Sequence, residues 1–140
     1  MPKRSDIVAA ARSYLGVPWQ HLGRSRQGLD CIGLVVRVFQ DTGIPVEDQR
    51  NYTRGPQVQN FRAVVNAHTT RGTMAYIRPG QIGVFKQEQY PMHVGVIGMD
   101  NFGQLTLIHA AAGNRRVVEV PLREWQHDLI DVREVPGIED

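Results

Sequence analysis

The feature that most constrains this chain is a change of hydrophobic period at Arg78-Pro79-Gly80. Before that turn, apolar residues recur at helical spacing; after it come short runs rich in branched residues, each bounded by turn residues. Ser5-Asp6 reads as an N-cap, followed by Ile7, Ala10, Ala11, Tyr14 and Leu15, with Gly16 as the stop and Pro18 forbidding continuation. Residues 17–30 read as loop. Cys31, Leu34, Val35 and Val38 form one stripe and predict a helix over 31–41, ended by Gly43 and Pro45. Residues 46–56 read as irregular, with Pro56 near the start of a weaker third helix carrying Phe61, Val64, Val65 and His68. Strands are expected over 82–85, 93–99, 104–110, 116–120 and 129–135, with one helical turn within Leu122–His127. Helices first and strands afterwards predict an α+β fold whose sheet is mostly antiparallel. The 140 residues suit a single domain, 1–140.

Composition then narrows the function. A net charge of +2 with scattered arginines and no aromatic-basic stripe gives no expectation of a nucleic-acid partner. No run approaches the roughly 18 apolar residues of a membrane span, so no membrane insertion is expected. The start, MPKRSDIVAAARSYLG, has no apolar run of signal-peptide length, so the product is expected to be made in the cytoplasm without a signal peptide. One cysteine rules out an intrachain disulfide. There is no Cys-x-x-Cys and no His-Glu-x-x-His, so neither a metal nor another cofactor is expected, although Cys31, His93, His109 and Asp30 together could in principle hold one ion.

The chemistry is concentrated in Leu29-Asp30-Cys31-Ile32-Gly33-Leu34. A helix starting here puts Cys31 in its first turn, where unpaired N–H groups and the helix dipole favour an anion. A free thiol with a pKa of about 8.5 is only slightly ionised at neutral pH, and a helix tip beside an imidazolium is expected to lower that value. Gly33 would let another backbone or a substrate come close. The same segment also fits Cys31 as a small hydrophobe in the stripe with Leu34 and Val38, and this stretch alone leaves both readings open.

The histidines bear on that choice. His93 opens one strand and His109 nearly closes the next. If Asn101, Phe102 and Gly103 form a three-residue hairpin loop with Gly103 left-handed, His93 opposes Ala111 and Gly95 opposes His109. The two histidines then lie diagonally on one face, about 7–8 Å apart at the backbone. A loop one residue shorter or longer would put them on opposite faces. A thiol, a base and a polar group to orient the base form the general nucleophile–base–orienter arrangement. His68 and His127 look ordinary, and His21 stands out only because its loop leads to Cys31.

In order along the chain, five short motifs resemble those of the NlpC-type cell-wall peptidases, a family with a compact papain-like core. They are Tyr14-Leu15-Gly16-Val17-Pro18-Trp19, Asp30-Cys31-Ile32-Gly33-Leu34, Arg78-Pro79-Gly80-Gln81-Ile82-Gly83-Val84-Phe85, His93-Val94-Gly95-Val96 and Ile108-His109-Ala110. The resemblance implies N-terminal helices packed on a five- to six-stranded sheet. It also implies Cys31 as nucleophile, His93 as base and His109 as the orienting residue, with Trp19 and Asp30 at the rim of the site. The implied activity is hydrolysis of an amide bond in peptidoglycan stem peptides, typically between D-glutamate and the diamino acid.

Three positions depart from the family pattern. Ile32 stands where Ser is usual, Trp19 where Tyr is usual, and Gln81 where Asp is usual. The first two positions help family members bind the free amine of a stem peptide, so Ile32 belongs with Trp19 and Asp30 among the candidate substrate-binding residues. The pattern Asp30-Cys31-Ile32-Gly33-Leu34, the missing export signal and the short single-domain chain look more like phage-encoded members, including tail-associated ones, than secreted bacterial enzymes, which implies tail-tip proteins as partners and a place in the virion tail. Two rivals share these motifs: a structural tail-tip component that keeps the fold, and a cytosolic amidase with a non-wall substrate.

Overall fold

The computed structural model describes residues 2–48, 58–87 and 90–140. Helix α1 (Arg4–Arg12) starts slightly earlier than Ser5 suggested, because the Asp6 carboxylate accepts the Lys3 N–H at 2.8 Å and makes Lys3 the N-cap. It buries Ile7, Val8 and Ala11. Leu15 lies beyond the helix end, in a turn, and is exposed rather than part of the stripe. The loop expected over 17–30 contains a small hairpin, β1 (Arg24–Ser25) with β2 (Gly28–Leu29). Helix α2 (Cys31–Asp41) has the expected bounds, and α3 (Val58–His68) carries Val65 against the core. Pro56 and most of the irregular stretch lie outside the described residues.

All five expected strands are present as β4 (Ile82–Gln87), β5 (Tyr90–Met99), β6 (Leu105–Ala111), β7 (Arg116–Pro121) and β8 (Leu129–Glu134). A two-residue strand, β3 (Thr70–Arg71), adds a sixth, and the sheet order is β3-β8-β4-β5-β6-β7 with every neighbouring pair antiparallel. Strand β8 thus returns from the end of the chain to lie between β3 and β4. Two short 3-10 turns, Leu122–Glu124 and Gln126–Asp128, occupy the stretch where one helical turn was expected.

Alternation along the strands separates two apolar layers. Ile82, Val84, Val94, Val96, Ile108 and Ala110 face α1 and α2, meeting Ile7, Ala11, Tyr14, Leu34, Val38 and Phe39 in the main core. Phe85, Ile97, Leu107 and Val132 form a second layer with Leu122 and Leu129. The chain ends are fastened together: the Arg4 N–H donates to Glu139 O at 3.1 Å, and the Arg4 guanidinium meets Glu134 at 2.6 Å and Asp140 at 2.8 Å.

The β5–β6 hairpin has the expected loop. The Asp100 N–H donates to Gln104 O at 2.9 Å, and Gly103 takes a φ of +79°, a left-handed value that costs glycine nothing. The register follows: Val96 pairs with Ile108 and Ile97 with Leu107. Continued one residue further, the same register sets Gly95 against His109.

Candidate active site

Asp30 is the N-cap of α2 and is 4% exposed. Its Oδ1 accepts the Gly33 N–H at 2.8 Å and Arg24 Nη1 at 3.0 Å, while Oδ2 accepts the Leu22 N–H at 2.9 Å. Arg24 also reaches Asp48 at 2.9 Å, so the cap carboxylate belongs to a buried charged network. Leu22 is held at φ 62°, a costly conformation for a branched aliphatic residue, and the Asp30 carboxylate anchors it there. At Gly33 a β-carbon would lie 2.0 Å from Gly23 O, so the loop backbone crosses directly over the first turn of α2. The close approach expected at Gly33 is therefore made by backbone.

Cys31 is the first residue of α2 and is partly exposed. The backbone N–H groups of Val94, Ile32 and Cys31 itself point at its sulfur. Val94 can do this because of how the sheet opens. The Ile97 N–H donates to Gln81 O on the β4 side, so alternate N–H groups, those of Val94 and Val96, point toward β6. Paired residues between β5 and β6 stop at Val96 and Ile108, and in the opening beyond them the thiol meets Val94. The sulfur thus sits beside the residue that follows His93.

His93 and His109 share one face, as the hairpin register predicts. His93 Nε2 lies 2.6 Å from His109 Nδ1, with His93 4% and His109 1% exposed. Gly95 makes this possible: a β-carbon there would lie 2.5 Å from Leu107 Cδ1, 2.9 Å from Ile108 O and 3.0 Å from His109 Cβ. His109 Nε2 is buried and has no hydrogen-bond partner among the described residues. Among the described residues, the bond to His93 is the one hydrogen bond the His109 ring makes.

The electrostatics depart from expectation at the thiol. A helix tip was expected to lower its pKa, yet burial, and after it the Asp30 charge, push the Cys31 thiol up to about 12. The three N–H groups work in the other direction and are outweighed. Burial also takes His93 down to about 3, with a further contribution from His109, and His109 down to about 4. At neutral pH the resting site holds a neutral thiol and two neutral imidazoles.

Sequence reasoning missed the aromatic wall around His93. Trp125, between the two 3-10 turns, stacks on the His93 ring at 5.0 Å and 23°, and meets His109 edge-on at 4.9 Å and 78°. Phe85 lies 6.1 Å from His93 and 5.8 Å from Trp125. The available signal was a lone Trp in an otherwise polar turn, with no spacing to connect it to either histidine.

The three candidate substrate-binding residues are placed differently from one another. Trp19 is half-buried, donates its N–H to Arg115 O at 2.8 Å and packs against the main core. The Asp30 carboxylate serves the helix cap and Arg24. Ile32 turns into a narrow apolar cavity of about 40 Å³ between α2, α3 and the sheet, beside Val35, Phe39, Val65 and Val94. No group of three or more potential metal ligands occurs among the described residues. None of the described helices is long and apolar enough to cross a membrane.

The sequence signature of the NlpC/P60 family matches residues 16–134. A gamma-D-glutamyl-L-lysine dipeptidyl-peptidase of Bacillus cereus is 26% identical over 121 residues, covering 86% of this chain and 32% of the relative. The chain therefore spans about a third of that relative's length. A crystal structure of an NlpC/P60 family protein from Bacillus cereus superposes with a TM-score of 0.70 at 22% identity, covering 96% of this chain and 40% of the other. The NlpC/p60 domain of the peptidoglycan hydrolase SagA gives a TM-score of 0.66 at 21% identity, over 95% of this chain and 99% of that domain.

Proposed function

Because this chain belongs to the NlpC/P60 family, we propose that it is a cysteine peptidase or amidase hydrolysing an amide bond in peptidoglycan stem peptides. Cys31 is the nucleophile, His93 its base and His109 the residue that orients His93. The observation that carries this reading is the buried 2.6 Å His93–His109 hydrogen bond, formed next to the strand residue whose N–H meets the Cys31 sulfur.

The hydrogen bond also selects a tautomer. With His93 Nε2 engaged by His109, the nitrogen left for the thiol is Nδ1, which accepts a proton only if the imidazole proton sits on Nε2. His93 Nε2–H then donates to His109 Nδ1, and the His109 proton falls on its unpartnered Nε2. The opposite arrangement would leave His93 unable to act as a base.

A thiol near 12 beside an imidazole near 3 makes a resting thiolate–imidazolium pair unfavourable. Proton transfer from the thiol to His93 is therefore coupled to attack. As the C–S bond forms, the S–H proton moves to His93 Nδ1; the imidazolium then protonates the leaving amine, and water resolves the thioester. The Cys31 N–H and one further donor stabilise the oxyanion.

The finer reading is a D-glutamyl–diamino acid bond. The related dipeptidyl-peptidase is named for a gamma-D-glutamyl-L-lysine bond, which supports that class of substrate. Trp19 forms the rim of the substrate groove, Asp30 holds the helix that presents the thiol, and Ile32 adds no acceptor for an ammonium group. Delivery by a phage tail is a further part of the proposal, supported by the likeness of Asp30-Cys31-Ile32-Gly33-Leu34 to phage-encoded members. Digestion of purified peptidoglycan, with mass-spectrometric identification of the newly freed amine, tests the activity. No new amine, or the same amine from the Cys31→Ala variant, rejects it. Detection of the protein in purified particles of a source phage tests the delivery.

A further inference from the structure

We propose that Trp125 is a positioning residue for the base: its indole covers one face of the His93 ring and fixes the plane of the imidazole that His109 holds by Nε2. The inference rests on the reading of His93 as base.

The stack is close to parallel, 23° at 5.0 Å, whereas the His109 and Phe85 contacts with His93 are edge-on or tilted at 79° and 54°. One hydrogen bond, His93 Nε2 to His109, leaves the imidazole free to swing about that axis. A flat surface against the ring removes that freedom. Trp125 is itself held from both sides: its N–H donates to Leu122 O at 2.9 Å, and its carbonyl accepts the Asp128 N–H at 3.0 Å. Leu122 and Leu129, on either side of the two turns, are buried in the second apolar layer. The turns therefore deliver one side chain to a defined place over the base.

The stack also acts on the charge that appears during the reaction. When His93 accepts the thiol proton it becomes a cation against the face of an indole, the aromatic system that holds cations best. That attraction is absent while the ring is neutral, so it favours the reacting state over the resting one. The titratable group set against His93 among the described residues is His109 on β6; Cys31, at the tip of α2, meets the neighbouring Val94 N–H with Asp30 behind it, and Phe85 on β4 and Trp125 bring no charge.

Three variants test this. Trp125→Phe keeps a flat aromatic face and is expected to lose about three- to fivefold in kcat. Trp125→Leu keeps apolar bulk without a ring face and is expected to lose about thirtyfold or more in kcat with KM nearly unchanged. In Trp125→Ala, water reaches the imidazole and solvates the cation more strongly than the indole face did, so the His93 titration followed by NMR should move up from about 3 toward its ordinary value. Circular dichroism and thermal melts establish that each variant is folded. The NMR titration needs no substrate, so it reports on Trp125 even if peptidoglycan is not cleaved. A Leu variant as active as the Phe variant, or an unmoved His93 titration in a folded Ala variant, overturns the proposal.

Discussion

Gly95→Ala perturbs the site without touching a reacting atom. The added β-carbon would lie 2.5 Å from Leu107 Cδ1, 2.9 Å from Ile108 O and 3.0 Å from His109 Cβ. The Leu107 methyl can rotate aside, but the other two atoms belong to β6 itself. Restoring ordinary contact of about 3.4–3.8 Å requires β6 to retreat by about 0.5–0.8 Å at His109. Added to a 2.6 Å hydrogen bond, that displacement stretches His93–His109 to the outer limit of bonding geometry, about 3.1–3.4 Å. Overpacking costs about 1–3 kcal/mol of stability, a Tm decrease of about 3–10 °C. Losing most of one hydrogen bond, about 0.5–1.5 kcal/mol, lowers kcat by about 2–12-fold. Thermal melts and single-turnover hydrolysis measure the two effects separately. A variant as stable and as fast as the parent would refute the reasoning, because the close approach at Gly95 would then have no role.

The remaining predictions concern the thiol, the bases and the substrate. Cys31 should be alkylated by iodoacetamide more slowly than free cysteine at pH 7, with a rate that climbs steadily toward pH 10, since its pKa lies near 12; a flat, fast rate between pH 5 and 8 would mean a preformed thiolate. Asp30→Asn removes the charge that helps raise that pKa, so labelling at neutral pH should accelerate, and the same variant should lose stability because buried Arg24 gives up an ion pair. His93→Ala should abolish turnover nearly as fully as Cys31→Ala, whereas His109→Asn should retain measurable activity because an amide oxygen can still accept from His93 Nε2–H; equal and complete loss in both would point to a shared metal ion. Whole sacculi should be turned over faster than a free-amine tripeptide at matched stem-peptide concentration, since Ile32 offers an ammonium group no acceptor, and a clear preference for the tripeptide would sink that expectation.

Much of the arrangement was legible because local signals and the fold agree. The period change at Arg78-Pro79-Gly80 separates helices from strands, and the α2 stripe sets its bounds at Cys31 and Asp41. A single glycine, Gly103, determined the loop length, the register and hence the shared face of His93 and His109. What escaped the sequence depends on contacts between distant segments. Trp125 meets His93 because two 3-10 turns carry it back over the sheet, and no spacing encodes that path. The thiol pKa went the other way for a similar reason. The helix tip is visible locally, but the burial that outweighs it is produced by the loop crossing at Gly33 and by the tertiary contact with β5.

The position of β8 has a consequence for how the site is assembled. Its residues, Leu129–Glu134, follow β5, β6 and β7 in sequence, yet they pair with β3 and β4 inside the sheet, and the turns just before them carry Trp125. Until that strand arrives, β4 lacks one of its two neighbours and the base lacks its aromatic wall. Pairing of such sequence-distant segments is slow relative to local helix formation. A chain truncated before Leu129 would therefore carry both Cys31 and His93 without a completed site around them, so the site is complete only once β8 has docked.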